Sequence, residues 1–255
     1  MIQLAGYQVE DQLYHGQRCR VYRARDITSQ KAVIIKTASS ELPSTTDLTE
    51  LKHDYEIGQQ FNDTHIVRYL DLKPYEHNLA LILENFDAVS LEEYLANQVL
   101  SLSLFLKIAI QLVESLMLIH DKNIIHKDIK PLNILINPNS NKIKITGFGL
   151  ASKLQHETQQ VVSPGQLEGT LPYISPEQTG RMNRSIDYRT DFYSMGITFY
   201  KMLTGNLPFS ANDAMELVHC HIAKSPKPPK MIGVDVPEPL SELILTLLAK
   251  NSEDR

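Results

Sequence analysis

His126-Lys127-Asp128-Ile129-Lys130-Pro131-Leu132-Asn133, running into the apolar Ile134-Leu135-Ile136, sets three kinds of chemistry in one short loop. Asp128 can accept a hydrogen bond from a hydroxyl group. Lys130, two residues on, can neutralise an anion. The amide oxygen of Asn133 suits a hard cation such as Mg2+, which prefers oxygen ligands. Orienting a hydroxyl, neutralising charge and placing phosphates are together what phosphoryl transfer asks of a protein. A solvated polar loop would need none of these residue types at this spacing. Further along, Gly147-Phe148-Gly149 offers no side-chain ligand.

Outward from the loop, the pattern predicts an α+β chain of two lobes. Tyr7–Leu13, Val21–Asp26 and Ala32–Thr37 read as strands, parted by the turn-like His15-Gly16-Gln17 and Thr28-Ser29-Gln30. Pro43–Thr46 reads as a loop, Leu48–Phe61 as a helix, and Ile66–Leu72 and Leu79–Leu83 as strands. From Ser90 the period becomes helical, with Ser90 and Glu93 forming a capping box. Leu104, Ile108, Leu112, Ser115 and Ile119 share one face of a helix over 103–122. Ile134–Ile136 and Ile143–Thr146 suggest a hairpin, and 150–175 is irregular. Asp191–Leu203 is a helix stopped by Gly205; Met215–Ala223 and Leu240–Ala249 follow, separated by the Pro-rich 225–239. The expected division is 1–84, a hinge at 85–89, and 90–255, with a ligand site between lobes.

Composition bounds the partners. Of 255 residues, 42% are hydrophobic and 22% charged, enough for a sizeable core. A net charge of −5 gives no reason to expect nucleic acid or an anionic membrane. Two cysteines, Cys19 and Cys220, make no disulfide framework and favour a reducing compartment. No uninterrupted apolar run reaches about 18 residues, so no transmembrane helix is expected. The first residues lack a signal peptide's cationic start and apolar core. A cytoplasmic protein is the expectation.

Over nearly its whole length the chain resembles the eukaryotic-type protein kinases of serine/threonine type. The carriers are the 126–133 loop, Val33-Ile34-Ile35-Lys36, Gly169-Thr170 through Ser175-Pro176-Glu177, Asp191-Phe192-Tyr193-Ser194-Met195-Gly196 and Asn251-Ser252-Glu253-Asp254-Arg255. The resemblance implies a two-lobed protein-kinase fold that uses ATP with Mg2+ or Mn2+. It implies that Asp128 orients the substrate hydroxyl, Lys130 stabilises the transferring phosphate and Asn133 holds the metal. Thr170, like Lys130, is the serine/threonine-type choice. ATP would meet Lys36 with Gly16, Val21, Ile34, Glu84, Phe86 and Leu135. His126, Phe148, the Glu177–Arg255 pair and Asp191 would be structural, Asp191 tying down the loop backbone.

A narrower resemblance is to the N-terminal kinase domain of large bacterial hybrid sensor kinases. It rests on Glu168-Gly169-Thr170, on Ser175-Pro176-Glu177-Gln178-Thr179-Gly180-Arg181-Met182-Asn183-Arg184 and on His219-Cys220-His221-Ile222-Ala223. It implies a signalling protein, and a parent chain with sensor and ATPase modules. The family's final helix would follow Arg255.

The departures matter as much. Gly147 stands where the family has a metal-binding Asp, and Tyr14 and Cys19 replace the outer glycines of the phosphate-covering turn. Ile34 narrows the adenine side of the site. Lys127 replaces an Arg, a point charge without the bidentate fork. The partner of Lys36 is Asp54 or Glu56; in the Asp54 register, Gly58 takes a place where a packing leucine is expected. Thr158 and Ser163 are candidate phosphorylation positions. For His219-Cys220-His221, adjacent helix positions point apart, which disfavours a metal. Two functions stay open: a kinase weakened at Gly147, or a pseudokinase that regulates a partner.

Overall fold

A computed structural model describes residues 2–96, 100–154, 169–182, 185–232 and 235–255. Thr158, Ser163, Glu168, Asn183 and Arg184, named above, lie outside the described residues. The chain divides into two units: residues up to Ala88 with Thr146–Gly149, and Val89–Ile145 with Leu150–Arg255. The first is β-rich and the second mostly helical, the α+β pattern expected.

In the first unit β1 (Tyr7–His15), β2 (Cys19–Asp26), β3 (Ala32–Ala38), β4 (Tyr69–Tyr75) and β5 (Asn78–Glu84) form one antiparallel sheet, ordered β1-β2-β3-β5-β4. Alternation sends Tyr22, Ala24, Val33, Ile35, Ala80 and Ile82 into one core with Leu4. Lys36, the residue after Ile35, therefore falls on the opposite face, in register with Val21 and Leu81. β4 begins later than the apolar pattern suggested. Ile66 and Val67 are buried but precede the ladder, because burial and strand pairing are separate demands. Pro74 lies inside β4, which a sheet-edge strand tolerates.

The helix of this unit, α1 (Thr45–Gly58), starts earlier than expected and ends before Phe61. Ser44 and Asp47 make a reciprocal capping box: the Asp47 N–H donates to Ser44 Oγ at 3.2 Å, and the Ser44 N–H to Asp47 Oδ2 at 2.9 Å. Those bonds satisfy free backbone donors and carry the helix into the stretch read as loop.

In the second unit, β6 (Val89–Ser90) leads into α2 (Leu91–Ala96), where Ser90 Oγ accepts the Glu93 N–H at 3.1 Å. α3 (Leu102–Asp121) buries Phe105, Ile108, Leu112, Leu116 and Ile119. It is long and apolar enough to cross a membrane, with mean hydropathy 1.9 over Leu102–His120, although the count of uninterrupted apolar residues suggested no such helix. The scattered Ser, Lys, Gln and Glu break the run, yet the many Leu and Ile keep the average high. β7 (Ile124–Ile125), β8 (Ile134–Ile136), β9 (Ile143–Ile145) and β10 (Ser152–Lys153) form two small sheets, β6-β8-β9 and β7-β10. The helices α4 (Arg189–Thr204), α5 (Ala214–Ala223) and α6 (Glu238–Leu247) complete it. α4 stops at Gly205, whose φ of 71° is the left-handed turn foreseen. α6 takes Pro239 into its first turn, where its missing N–H costs nothing.

Two buried polar groups hold these helices. Glu177 meets Arg255 through both guanidinium nitrogens, at 2.5 and 2.8 Å, and accepts the Thr190 hydroxyl at 2.9 Å. His219 faces outward, whereas His221 is buried, with Nδ1 3.0 Å from the Tyr193 hydroxyl and its ring against Phe209. Burial, with the Lys250 charge nearby, holds the His221 imidazole down at about 4, against 6.5 for a free side chain. Between those values the unfolded chain binds a proton that the folded chain refuses. The stability from a neutral His221 is thus complete above that window and is lost as pH falls through it.

Urea unfolding at pH 7 and pH 5 should show that His221→Gln loses about 2 kcal/mol less than wild type on acidification. Glu177→Leu, which strands the fully buried Arg255 side chain, should cost about 3 kcal/mol at pH 7 by the same measurement.

Candidate active site

β7 feeds the 126–133 loop directly, and the loop's backbone is pinned by one buried carboxylate. Asp191, in the first turn of α4, accepts the His126 N–H at 2.9 Å and the Lys127 N–H at 2.8 Å. His120 Nε2 lies 2.9 Å from the same carboxylate. Asp191 has no exposed surface, so these donors and the positive end of α4 are what offset its desolvation. Pinned there, Lys127 takes a left-handed φ of 65°, and the chain turns towards Asp128. The Lys127 carbonyl accepts Gln178 Nε2 at 2.9 Å, and Gln178 Oε1 takes the Ser175 N–H at 3.1 Å.

Four predicted residues then meet. Asp128 Oδ1 accepts the Thr170 hydroxyl at 2.8 Å. Its Oδ2 pairs with Lys130 Nζ at 2.6 Å and accepts Asn133 Nδ2 at 2.9 Å. Asn133 Nδ2 also reaches the Asp128 carbonyl at 2.8 Å, and Lys130 Nζ the Thr170 hydroxyl at 2.5 Å. Asp128 and Lys130 keep 12% and 15% of their side-chain surface open, enough for a reactant to touch them. The amide oxygen of Asn133, the atom a cation would use, makes none of these bonds. His126 is wholly buried behind them.

The other predicted residues belong mostly to the first unit. Lys36 Nζ lies 2.7 Å from Asp54 Oδ2, and Asp54 is 1% exposed. Glu56, the alternative partner, faces solvent and sits 3.9 Å from Lys52. The helix period turns Glu56 away, so the shorter acid makes the pair. Asp54 Oδ1 accepts two further bonds, from the Phe148 N–H at 2.7 Å and the Tyr69 hydroxyl at 2.6 Å. Phe148 is buried and stacks on Phe61 at 5.3 Å. Gly147 has a φ of 89°, and its N–H donates to the Tyr69 hydroxyl at 3.2 Å.

Gly16 lies in the turn between β1 and β2, with the Tyr14 ring folded so closely over it that a Cβ would collide. Val21 and Ile34 are half-buried on β2 and β3. Glu84 closes β5, and its carboxylate accepts the Arg68 N–H at 2.9 Å; the half-buried Phe86 follows. Leu135 is half-buried on β8 of the second unit. Sequence reasoning missed Tyr69 and the Gln178 bridge. Gly58, in place of a larger residue, was the one visible sign of Tyr69; nothing local marked Gln178.

The protein kinase domain family matches residues 7–255. A probable serine/threonine-protein kinase of Clostridium acetobutylicum is 27% identical over 98% of this chain and 37% of its own length. PknB of Mycolicibacterium smegmatis is 28% identical over 98% of the chain and 40% of its own. For pkn3 of Myxococcus xanthus the figures are 28%, 98% and 47%. The chain thus spans less than half the length of these relatives. With an aspartate, lysine and asparagine gathered on one anchored loop and a match over almost all its residues, the chain belongs to the protein kinase domain family.

Proposed function

We propose that this domain transfers the γ-phosphate of ATP to a serine or threonine hydroxyl of a protein, at a rate reduced by Gly147. The observation that carries this reading is the meeting of Asp128, Lys130, Asn133 and Thr170. Asp128 accepts the hydrogen bond of the incoming hydroxyl and orients its oxygen. Lys130 neutralises the phosphoryl group in transit. Thr170 bridges the two, so neither side chain swings away. Lys36, held by Asp54, contacts the α- and β-phosphates.

The residues fit a nucleotide better than they fit a metal. A divalent ion, Mg2+ or Mn2+, would find the Asn133 oxygen and the phosphates, but no carboxylate at position 147. Such an ion supplies charge neutralisation worth several kcal/mol. Losing about 3–6 kcal/mol of it slows the reaction roughly 10²–10⁴-fold. A second reading, a pseudokinase regulating a signalling partner, is favoured by one observation. The N–H groups of Gly147 and Phe148 are already held by Tyr69 and Asp54. The setting under either reading is cytoplasmic signalling within a longer chain carrying sensor and ATPase modules.

Intact mass after incubation with ATP and Mg2+ or Mn2+ tests this beside Asp128→Asn and Gly147→Asp. Slow phosphate gain in the wild type and none in Asp128→Asn is expected. Gly147→Asp should gain phosphate about 10²-fold faster. It should also be about 1 kcal/mol less stable, since a side chain at that φ is strained. Gain in Gly147→Asp alone would make the natural domain a pseudokinase; gain in none would refute the kinase reading.

A further inference from the structure

We propose that Tyr69 is a positioning residue for Lys36, acting through Asp54, and that Gly58 makes room for it. The proposal rests on the reading that Lys36 serves the nucleotide phosphates. An ionised carboxylate has acceptor sites on both oxygens, and a buried one needs them filled. Asp54, reaching one methylene less far than glutamate, meets Lys36 with Oδ2 alone. Its Oδ1 is fixed from the other side by the Tyr69 hydroxyl at 2.6 Å and the Phe148 N–H at 2.7 Å. Two bonds on one oxygen set the plane of the carboxylate, and the plane sets where Oδ2 holds the ammonium.

The phenol also reaches the glycine segment. Its oxygen accepts the Gly147 N–H at 3.2 Å and lies 3.2 Å from Thr146 Oγ1. Burial and the Asp54 charge hold its ionisation well above the ordinary phenol range, so it remains a donor to Asp54. The ring passes over Gly58, where any Cβ would collide with it. Gly58 and Tyr69 therefore work as a pair: the helix gives up a packing side chain and gains a hydrogen bond to its acid. If the ring served packing alone, edge-on to Phe148 at 6.1 Å, phenylalanine would do as well.

Tyr69→Phe separates the two roles. NMR of the ligand-free protein with 15N-labelled lysine would follow the Lys36 ammonium, assigned by its loss in Lys36→Met. In Tyr69→Phe its proton exchange, and that of the Gly147 and Phe148 amides, should quicken about 10-fold, the worth of one hydrogen bond to a charged group. ATP should bind about 10-fold more weakly to Tyr69→Phe while adenosine, which has no phosphate, binds unchanged. Gly58→Ala, which keeps the phenol but displaces the ring, should give the same signature. Unchanged exchange at Lys36, Gly147 and Phe148 in Tyr69→Phe would overturn the proposal. Equal weakening of ATP and adenosine would overturn it too. A wild type that binds no ATP would overturn the nucleotide reading instead, with the exchange data still deciding for or against Tyr69.

Discussion

The carboxylate of Asp191 is the constraint on which the second unit's chemistry depends. It is fully buried, and an isolated charge there would cost several kcal/mol. Two consecutive backbone N–H groups, an imidazole and a helix N-terminus offset that cost. The same bonds force the loop into one shape. Lys127 becomes left-handed, its carbonyl turns to Gln178, and Asp128 emerges beside Lys130, Asn133 and Thr170. The meeting of these four side chains is set by a residue that touches none of them.

The first unit repeats the device with a different acid. Asp54 is buried on α1 and uses one oxygen for a cation and the other for a backbone N–H and a phenol. In each unit one buried carboxylate accepts backbone N–H groups and fixes the segment that carries them. The surroundings differ, however. On the loop that Asp191 pins, Asp128, Lys130 and Asn133 meet Thr170, and position 127 is a lysine rather than the arginine expected. In the first unit the acid is short, the turn between β1 and β2 is roofed by Tyr14, and Gly147 brings no side-chain ligand. The 126–133 loop keeps its aspartate, lysine and asparagine, whereas the 147–149 segment brings no carboxylate.

Much of this was legible because short spacing along the chain is rigid geometry. Asp128, Lys130 and Asn133 lie within six residues, so a turn in the loop is enough to bring them together. The apolar period of α3, the left-handed stop at Gly205 and the alternation of β2 and β3 are equally local. The end of β4 was not legible, because the edge position that tolerates Pro74 depends on which strand lies beside it. The start of α1 lay in a local pattern, the Ser44–Asp47 capping box, which composition alone did not show.

By itself, then, the sequence determined the fold class and the gathering of Asp128, Lys130 and Asn133 in one loop, with no carboxylate at 147, since each is a matter of residue type or of contacts a few positions apart. Tertiary structure decided which acid holds Lys36, that Tyr69 and Gly58 act as a pair, and that Gln178 bridges to the Lys127 carbonyl. Those contacts span 11 to 51 residues of chain. Over such distances one turn of helix or one step of strand register selects the partner. Packing sets both, and no pattern within the segments themselves encodes it.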